Sequence, residues 1–197
     1  MKMMNRAAMF GLDARIALAI FGALSVISGA ALYSAIQDAK VTATIVRVEE
    51  IGKAIEQYLL DTGSDVAISS ANHFNIVDLI EEPSGVTGWN GPYLSYAKNT
   101  SFSLRLVDSS GVSDNFLLRY APSGDWADAT AWPTGCTSST KPCDIYVELE
   151  SSESKNPGLS DAIGLRIDGD TDPAKGKVRT RVGSSMYYKI KRAEVQP

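Results

Sequence analysis

The chain has 197 residues, 44% of them hydrophobic, and a formal net charge of −4. Once its most apolar stretch is set aside, that length leaves one modest domain. The slightly acidic balance, with basic residues gathered towards the two ends, excludes the basic patch that marks a nucleic-acid binder.

Residues 9–36 read MFGLDARIALAIFGALSVISGAALYSAI, and residues 16–36 carry no charge. At about 1.5 Å rise per residue, a helix of that length reaches roughly 30 Å, the hydrocarbon thickness of a bilayer. Asp13 and Arg15 sit just before the uncharged run, and the short segment MKMMNRAA ahead of it carries Lys2 and Arg6. Few basic residues follow the run closely. The positive-inside rule therefore places the N-terminus in the cytoplasm and the C-terminal bulk across the membrane. A secretory signal ends its shorter apolar region in a small-residue cleavage site. Here the apolar run continues into a second helical pattern, so cleavage is better placed before it. The other reading of residues 1–8 is a cytoplasmic tail on an uncleaved anchor. Ser25 and Gly29 form a small-xxx-small pair, which lets helix backbones approach in lipid.

This arrangement resembles the type IV pilin and type II secretion pseudopilin superfamily. In that family a basic leader is cut at Gly or Ala, and the mature chain opens with a hydrophobic residue and has an acid at its fifth position. With Ala8 before the cut, Met9 becomes the first mature residue and Asp13 the fifth. Ala19-Ile20-Phe21-Gly22-Ala23-Leu24 fall on the family's Ala-Ile-x-Gly-x-Leu run. Three positions depart from the pattern: Ala8 stands for the usual Gly, Asp13 for the usual Glu, and Ala30 for a helix-kinking Pro. The last implies a straighter helix.

The resemblance implies cleavage by a prepilin peptidase, N-methylation of Met9, and growth of a homo-oligomeric filament on an inner-membrane assembly platform. It also implies a role for Asp13. A carboxylate on a membrane helix costs about 2.5–3.5 kcal/mol at full depth, so it should have a partner. Arg15 lies about 200° round the helix and is poorly placed. The family gives its acid the new α-amino group of a neighbouring subunit, a contact that would set axial register.

Residues 37–61 change pattern without ending the helix. Ile45, Val48, Ile51, Ile55, Tyr58 and Leu59 recur at three- and four-residue steps, while Arg47, Glu49, Glu50, Lys53, Glu56 and Gln57 occupy the other surface. Gly52 lowers helix propensity by about 1 kcal/mol against Ala. Asp61-Thr62-Gly63 is the stop, with Gly63 free to take the left-handed conformation. The expected helix is about 50 residues long, against a globular mean near 12. Phe74, Ile76, Val77, Leu79 and Ile80 then suggest a short helix ended by Pro83-Ser84-Gly85. His73, the only histidine, reads as an exposed or capping side chain, since a general base needs positioned partners.

Gly88-Trp89-Asn90-Gly91-Pro92-Tyr93-Leu94 has turn chemistry flanked by aromatics that can pack. It is similar to the Trp-x-Gly-Pro-Tyr-Leu segment of major pseudopilins, and Tyr58-Leu59-Leu60-Asp61-Thr62-Gly63 is similar to their helix end. Strands are expected over residues 101–107, 115–120 and 144–150, each alternating, with Asp108-Ser109-Ser110-Gly111 as a hairpin loop. Residues 185–191 suggest a final edge strand. Residues 122–142 read as an exposed loop holding Trp126, Trp132 and Cys136, with Cys143 directly after it. The tryptophans fit either surface contacts or a local mini-core. If the domain lies outside the cytoplasm, Cys136 and Cys143 read as a disulfide. Two sulfurs and one histidine do not make a tetrahedral zinc set.

Asp168, Asp170 and Asp172 alternate as calcium ligands often do. An EF-hand is excluded, because Pro173 stands where its invariant Gly belongs and Arg179 where its bidentate Glu belongs. Major pseudopilins bind calcium in a C-terminal loop, so the resemblance implies calcium as a cofactor here; the plain alternative is a solvated acidic turn.

The expected fold is α+β, pilin-like: one long N-terminal helix on a small antiparallel sheet. Residues 1–8 are the expected leader, 9–36 the membrane and assembly half of the helix, 37–63 its amphipathic half, and 64–197 a periplasmic globular domain. No nucleophile, base and orienting partner form a recognisable set, and no GxSxG is present. The function expected is structural, as a filament subunit of a type II secretion pseudopilus or type IV pilus. The alternative is a membrane-tethered periplasmic enzyme or binding domain with an uncleaved anchor.

Overall fold

The computed structural model describes residues 4–70, 72–126, 136 and 142–194, with side chains from residue 11 onward apart from that of Ser70. The fold is α+β, a long apolar N-terminal helix followed by a small antiparallel sheet. Helix α1 runs unbroken over Met4–Thr62, 59 residues, as expected of a sequence with Ala30 rather than proline in its apolar half. It exceeds the expected length because residues 4–8 are helical too.

The chain divides into two compact units, 1–42 and 43–197. In the first, every described side chain from residue 11 to 36 is exposed. Leu18, Phe21 and Val26 are each more than 70% accessible, so among the described residues none covers these side chains. It is the one helix among the described residues that is long and apolar enough to cross a membrane.

The second unit contains the rest of α1 and the sheet. Strands β1 (Ile68–Ser70), β2 (His73–Phe74), β3 (Leu106–Val107), β4 (Asn115–Pro122), β5 (Cys143–Leu149), β6 (Val178–Arg181) and β7 (Ser185–Arg192) are ordered β1-β2-β4-β5-β7-β6, with β3 also pairing β4. All pairings are antiparallel. A 3-10 turn spans Ile76–Leu79, and helices α2 (Ser152–Lys155) and α3 (Leu159–Ile167) precede β6.

Thr44, Val48, Ile51, Ile55 and Tyr58 form the buried stripe of α1, close to the expected one; Ile45 and Leu59 are half-buried. Gly52 has a packing reason: a Cβ there would meet the Ile190 side chain of β7 at 3.2 Å. Register pairs Phe116–Leu149, Leu118–Val147 and Tyr120–Ile145 put six buried side chains on one face of the sheet. Tyr96 ties that face to the helix, packing on Phe116 at 5.3 Å between ring centroids and donating its hydroxyl to Glu50 at 3.2 Å.

The opposite face is buried as well. Asp144, Tyr146 and Glu148 alternate with apolar residues as a solvent face would, yet all seven residues of β5 are buried. Trp126 is the cover. It packs on Tyr146 and Tyr187 at 5.5 and 5.4 Å, so the mini-core reading holds for Trp126. Trp132 lies outside the described residues. Arg179, 2% exposed, lies 5.0 Å from the Trp126 ring and donates to the carbonyls of Gly124, Ser123 and Gly176. Those bonds and ring faces stand in for water around a buried cation.

Two expected strands change. Residues 101–105 are not extended, because the Asn99 carboxamide oxygen accepts the Ser101 and Phe102 N–H groups and turns the chain. Only Leu106–Val107 joins the sheet. The C-terminal strand β7 is interior; β6 takes the edge beyond it. That edge is shielded, since α3 lies against β6 and the Thr180 N–H donates to the Pro173 carbonyl at 2.9 Å.

Cys136 and Cys143 are bridged, their Cα atoms 6.0 Å apart, and both are buried. The bridge ties the loop to the first residue of β5. A loop this short constrains the unfolded chain by about 2–3 kcal/mol. Thiol alkylation of the folded, unreduced protein is expected to label neither cysteine. Reduction should lower the urea midpoint by a corresponding amount, and labelling of both cysteines without reductant would contradict the bridge.

Candidate functional site

Asp13 and Arg15 lie on α1, exposed, just before its uncharged run of residues 16–36. They are two charged residues near the start of a helix long and apolar enough to cross a membrane. Ala8 and Met9 are in the same helix, and their side chains lie outside the described ones. A peptide bond in an α-helix is not extended for cleavage, so the helix must open locally around Ala8 for any protease to act there.

The second feature is the end of α1. Gly63 has φ +74° and its N–H donates to the Leu59 carbonyl at 2.8 Å, a left-handed helix stop as expected. The 88–94 segment folds back onto this stop. Gly88 has φ +86°, and a Cβ on it would lie 2.3 Å from the Asp61 carbonyl oxygen. Only glycine allows both that conformation and that approach. Trp89 donates its indole N–H to the Asp78 carbonyl at 2.9 Å. Tyr93 stands between Trp89 and Tyr58, with ring centroids 5.7 and 5.9 Å away, and donates its hydroxyl to Asp61 at 3.0 Å. The Asn90 N–H donates to the same phenolic oxygen at 2.9 Å, and the Tyr93 N–H to the Leu79 carbonyl at 2.8 Å. The motif is thus a clamp that joins the last turn of α1 to the 3-10 turn. Its aromatics were legible in the sequence; Asp61 and Asp78 as their partners were not, because those contacts span 32 and 11 residues.

The third feature is the acidic loop. Asp168 accepts the N–H groups of Lys177 and Val178, at 2.9 and 2.8 Å. Asp170 accepts the N–H of Asp172, and Asp172 accepts the N–H of Ala174 and pairs with Lys175 at 3.1 Å. Each carboxylate thus shapes the backbone that leads into β6. Among the described residues no group of three or more His, Cys, Asp or Glu side chains is placed to hold a metal ion, and in this arrangement the three carboxylates are engaged with backbone N–H groups and Lys175.

His73 is not the exposed residue expected. It is half-buried on β2, its ring against the Arg119 guanidinium of β4. Burial first, then Arg119 and Arg105, hold its pKa down at about 4. Asp78, in the 3-10 turn, is buried, and that burial pushes its pKa up to about 6 against a bond from the Ala67 N–H. No protein-family model, curated protein or solved structure matches this chain.

Gly88→Ala should force φ out of the left-handed region or drive Cβ into Asp61. A cost of about 1–3 kcal/mol is expected, read as a Tm several degrees lower. Wild-type stability in that variant would dissolve the clamp.

The two perturbed groups have opposite consequences for stability. Native His73 binds fewer protons than the unfolded chain between about pH 4 and 6.5, so its contribution is lost as pH falls through that window. Native Asp78 binds more protons than the unfolded chain between about pH 3.8 and 6, so its contribution is lost as pH rises. Relative to wild type, Asp78→Asn should therefore gain stability from about pH 4.5 to 7.5, and His73→Gln over the reverse direction. Urea midpoints at the two pH values test both signs.

Proposed function

We propose that this chain is a structural subunit of a helical type IV filament, a type II secretion pseudopilus or a type IV pilus, assembled from the inner membrane through α1. One observation carries the reading. A single uninterrupted helix passes from a fully exposed apolar surface into a segment whose stripe is the core of a folded unit. A membrane anchor needs only the first part, about 20 residues joined to its domain by any linker. Here one helix supplies both the apolar surface and the core stripe, with no linker between them, which suits a surface meant to pack against copies of itself.

In this reading α1 spans the bacterial inner membrane once, with residues 1–8 cytoplasmic until a prepilin peptidase removes them and the second unit periplasmic. Lipid covers the apolar surface first and neighbouring helices cover it later, in the periplasm or on the cell surface. As a subunit leaves the bilayer, the carboxylate of Asp13 meets the α-amino group of a neighbouring Met9. The two charges neutralise each other where neither has water, which is the condition under which a charge pair must be geometrically complete. The sheet, loops and clamp carry no reaction. Their work is to present a fixed surface on each copy.

Mass spectrometry of the mature protein from its native membrane is expected to show loss of residues 1–8 and one added methyl on Met9. Asp13→Ala should still insert and be processed but form no filaments, while Asp13→Glu should assemble. An intact N-terminus would favour the membrane-tethered enzyme or binding domain. Normal filaments from Asp13→Ala cells would show that another contact sets the register.

A further inference from the structure

Beside β2 lies an open cleft of about 290 Å³. It takes no part in the clamp or in α1, and its reading is independent of the filament. Its size is at the lower end of small-molecule sites. The lining has two characters: Phe102, Leu104 and Leu117 are apolar, while His73, Arg105 and two serine hydroxyls, Ser101 and Ser103, are polar.

The cationic wall is held in place by partners outside the cleft lining. Arg105 pairs with Glu150 at 2.6 Å and lies over the Phe102 ring, 4.0 Å from its centroid. Its Nε–H is buried and has no hydrogen-bond acceptor among the described residues. That is a costly group to leave unmet unless something supplies the acceptor. Arg119, behind His73, is tied to Glu148 of β5 at 2.8 Å. The imidazole is thus set among guanidiniums, Arg119 from β4 and Arg105 from the loop that leads into β3, with Glu148 and Glu150 each directed at an arginine. Phe102 presents an apolar ring that is 55% exposed.

We propose that this cleft binds a small carboxylate with an apolar body, the carboxylate meeting Arg105 and His73 and the body resting on Phe102 and Leu117. Arginine recognises a carboxylate through parallel N–H donors, and the serine hydroxyls add neutral ones. His73 makes the site proton-linked. Its ring is neutral in the empty cleft because burial and two guanidiniums disfavour the charge. An anion placed against it offsets both effects, so binding takes up a proton and tightens as the solution becomes more acidic. The acid can be a free small molecule or the C-terminus of an extended peptide ending in an apolar residue, since both offer the same chemistry.

The test uses the full chain in detergent micelles, titrated with N-acetyl-phenylalanine and with its amide. His73 is the only histidine, so its ring proton signal reports on the cleft without mutagenesis. The carboxylate is expected to bind with a Kd of about 1 mM or tighter near pH 6, and the amide at least about ten-fold more weakly. The His73 midpoint should rise in the presence of ligand, and affinity should increase from about pH 7.5 to 5.5. Arg105→Gln should lose binding, and His73→Gln should keep weaker binding without the pH dependence. A tetrapeptide ending in phenylalanine that binds more tightly than the single residue would assign the ligand to a chain terminus; equal binding would assign it to a free acid. No heat and no imidazole shift at about 10 mM carboxylate would overturn the proposal. So would equal binding of the amide, a comparison that needs no variant to fold.

Discussion

The buried stripe of α1 is the surface on which the second unit is assembled. Val48, Ile51, Ile55 and Tyr58 are each at most 1% exposed. They remove from water one side of a helix segment whose other side is charged, and the sheet face bearing Phe116, Leu118, Val147 and Leu149 is buried in the same core. Loss of that contact would leave two apolar surfaces without partners, and helix propensity alone would not hold the segment in place. Gly52 allows Ile190 its close approach, and the clamp at Asp61 closes the far end. Packing, close approach and termination all act on the same two dozen residues.

How much of this could be read in advance follows the range of the interactions. The helix was legible because its signals are local: an uncharged run, then a three-and-four-residue repeat, then Asp-Thr-Gly. The strands at 115–122 and 143–149 were legible from alternation. Residues 101–105 alternate equally well and are not a strand, because one side chain, Asn99, offers the backbone a better partner than the sheet does. α2, α3 and β6 were not read at all, although Leu159 and Ile163 carry a one-turn buried pair. Four- and nine-residue helices give too short a window for periodicity to speak.

The candidate site divides in the same way. Asp13, the 88–94 motif and the cysteine pair announce themselves by residue type and spacing. The second layer over the sheet does not. Nothing near Trp126 in the chain says that it will meet Tyr146 and Tyr187, or that Arg179 will sit beneath it with carbonyls for company. Asp144, Tyr146 and Glu148 alternate with apolar residues, but alternation reports polarity, and polarity is a good guide to exposure only where no second layer arrives. His73 failed for a related reason: its environment is set by Arg119, 46 residues away.

One feature of the sheet bears on how copies of this chain can meet. At one margin β1 is three residues long, and at the other β6 has α3 and the Pro173 carbonyl across it. Neither margin presents a long row of free backbone donors and acceptors. Proteins confined together at high local density risk zipping edge to edge into open-ended ribbons, since backbone pairing is blind to side-chain identity. With both margins closed, association is left to side-chain surfaces, where shape and charge can discriminate one geometry from all others. The sheet thereby contributes to the orderliness of any assembly by what it withholds.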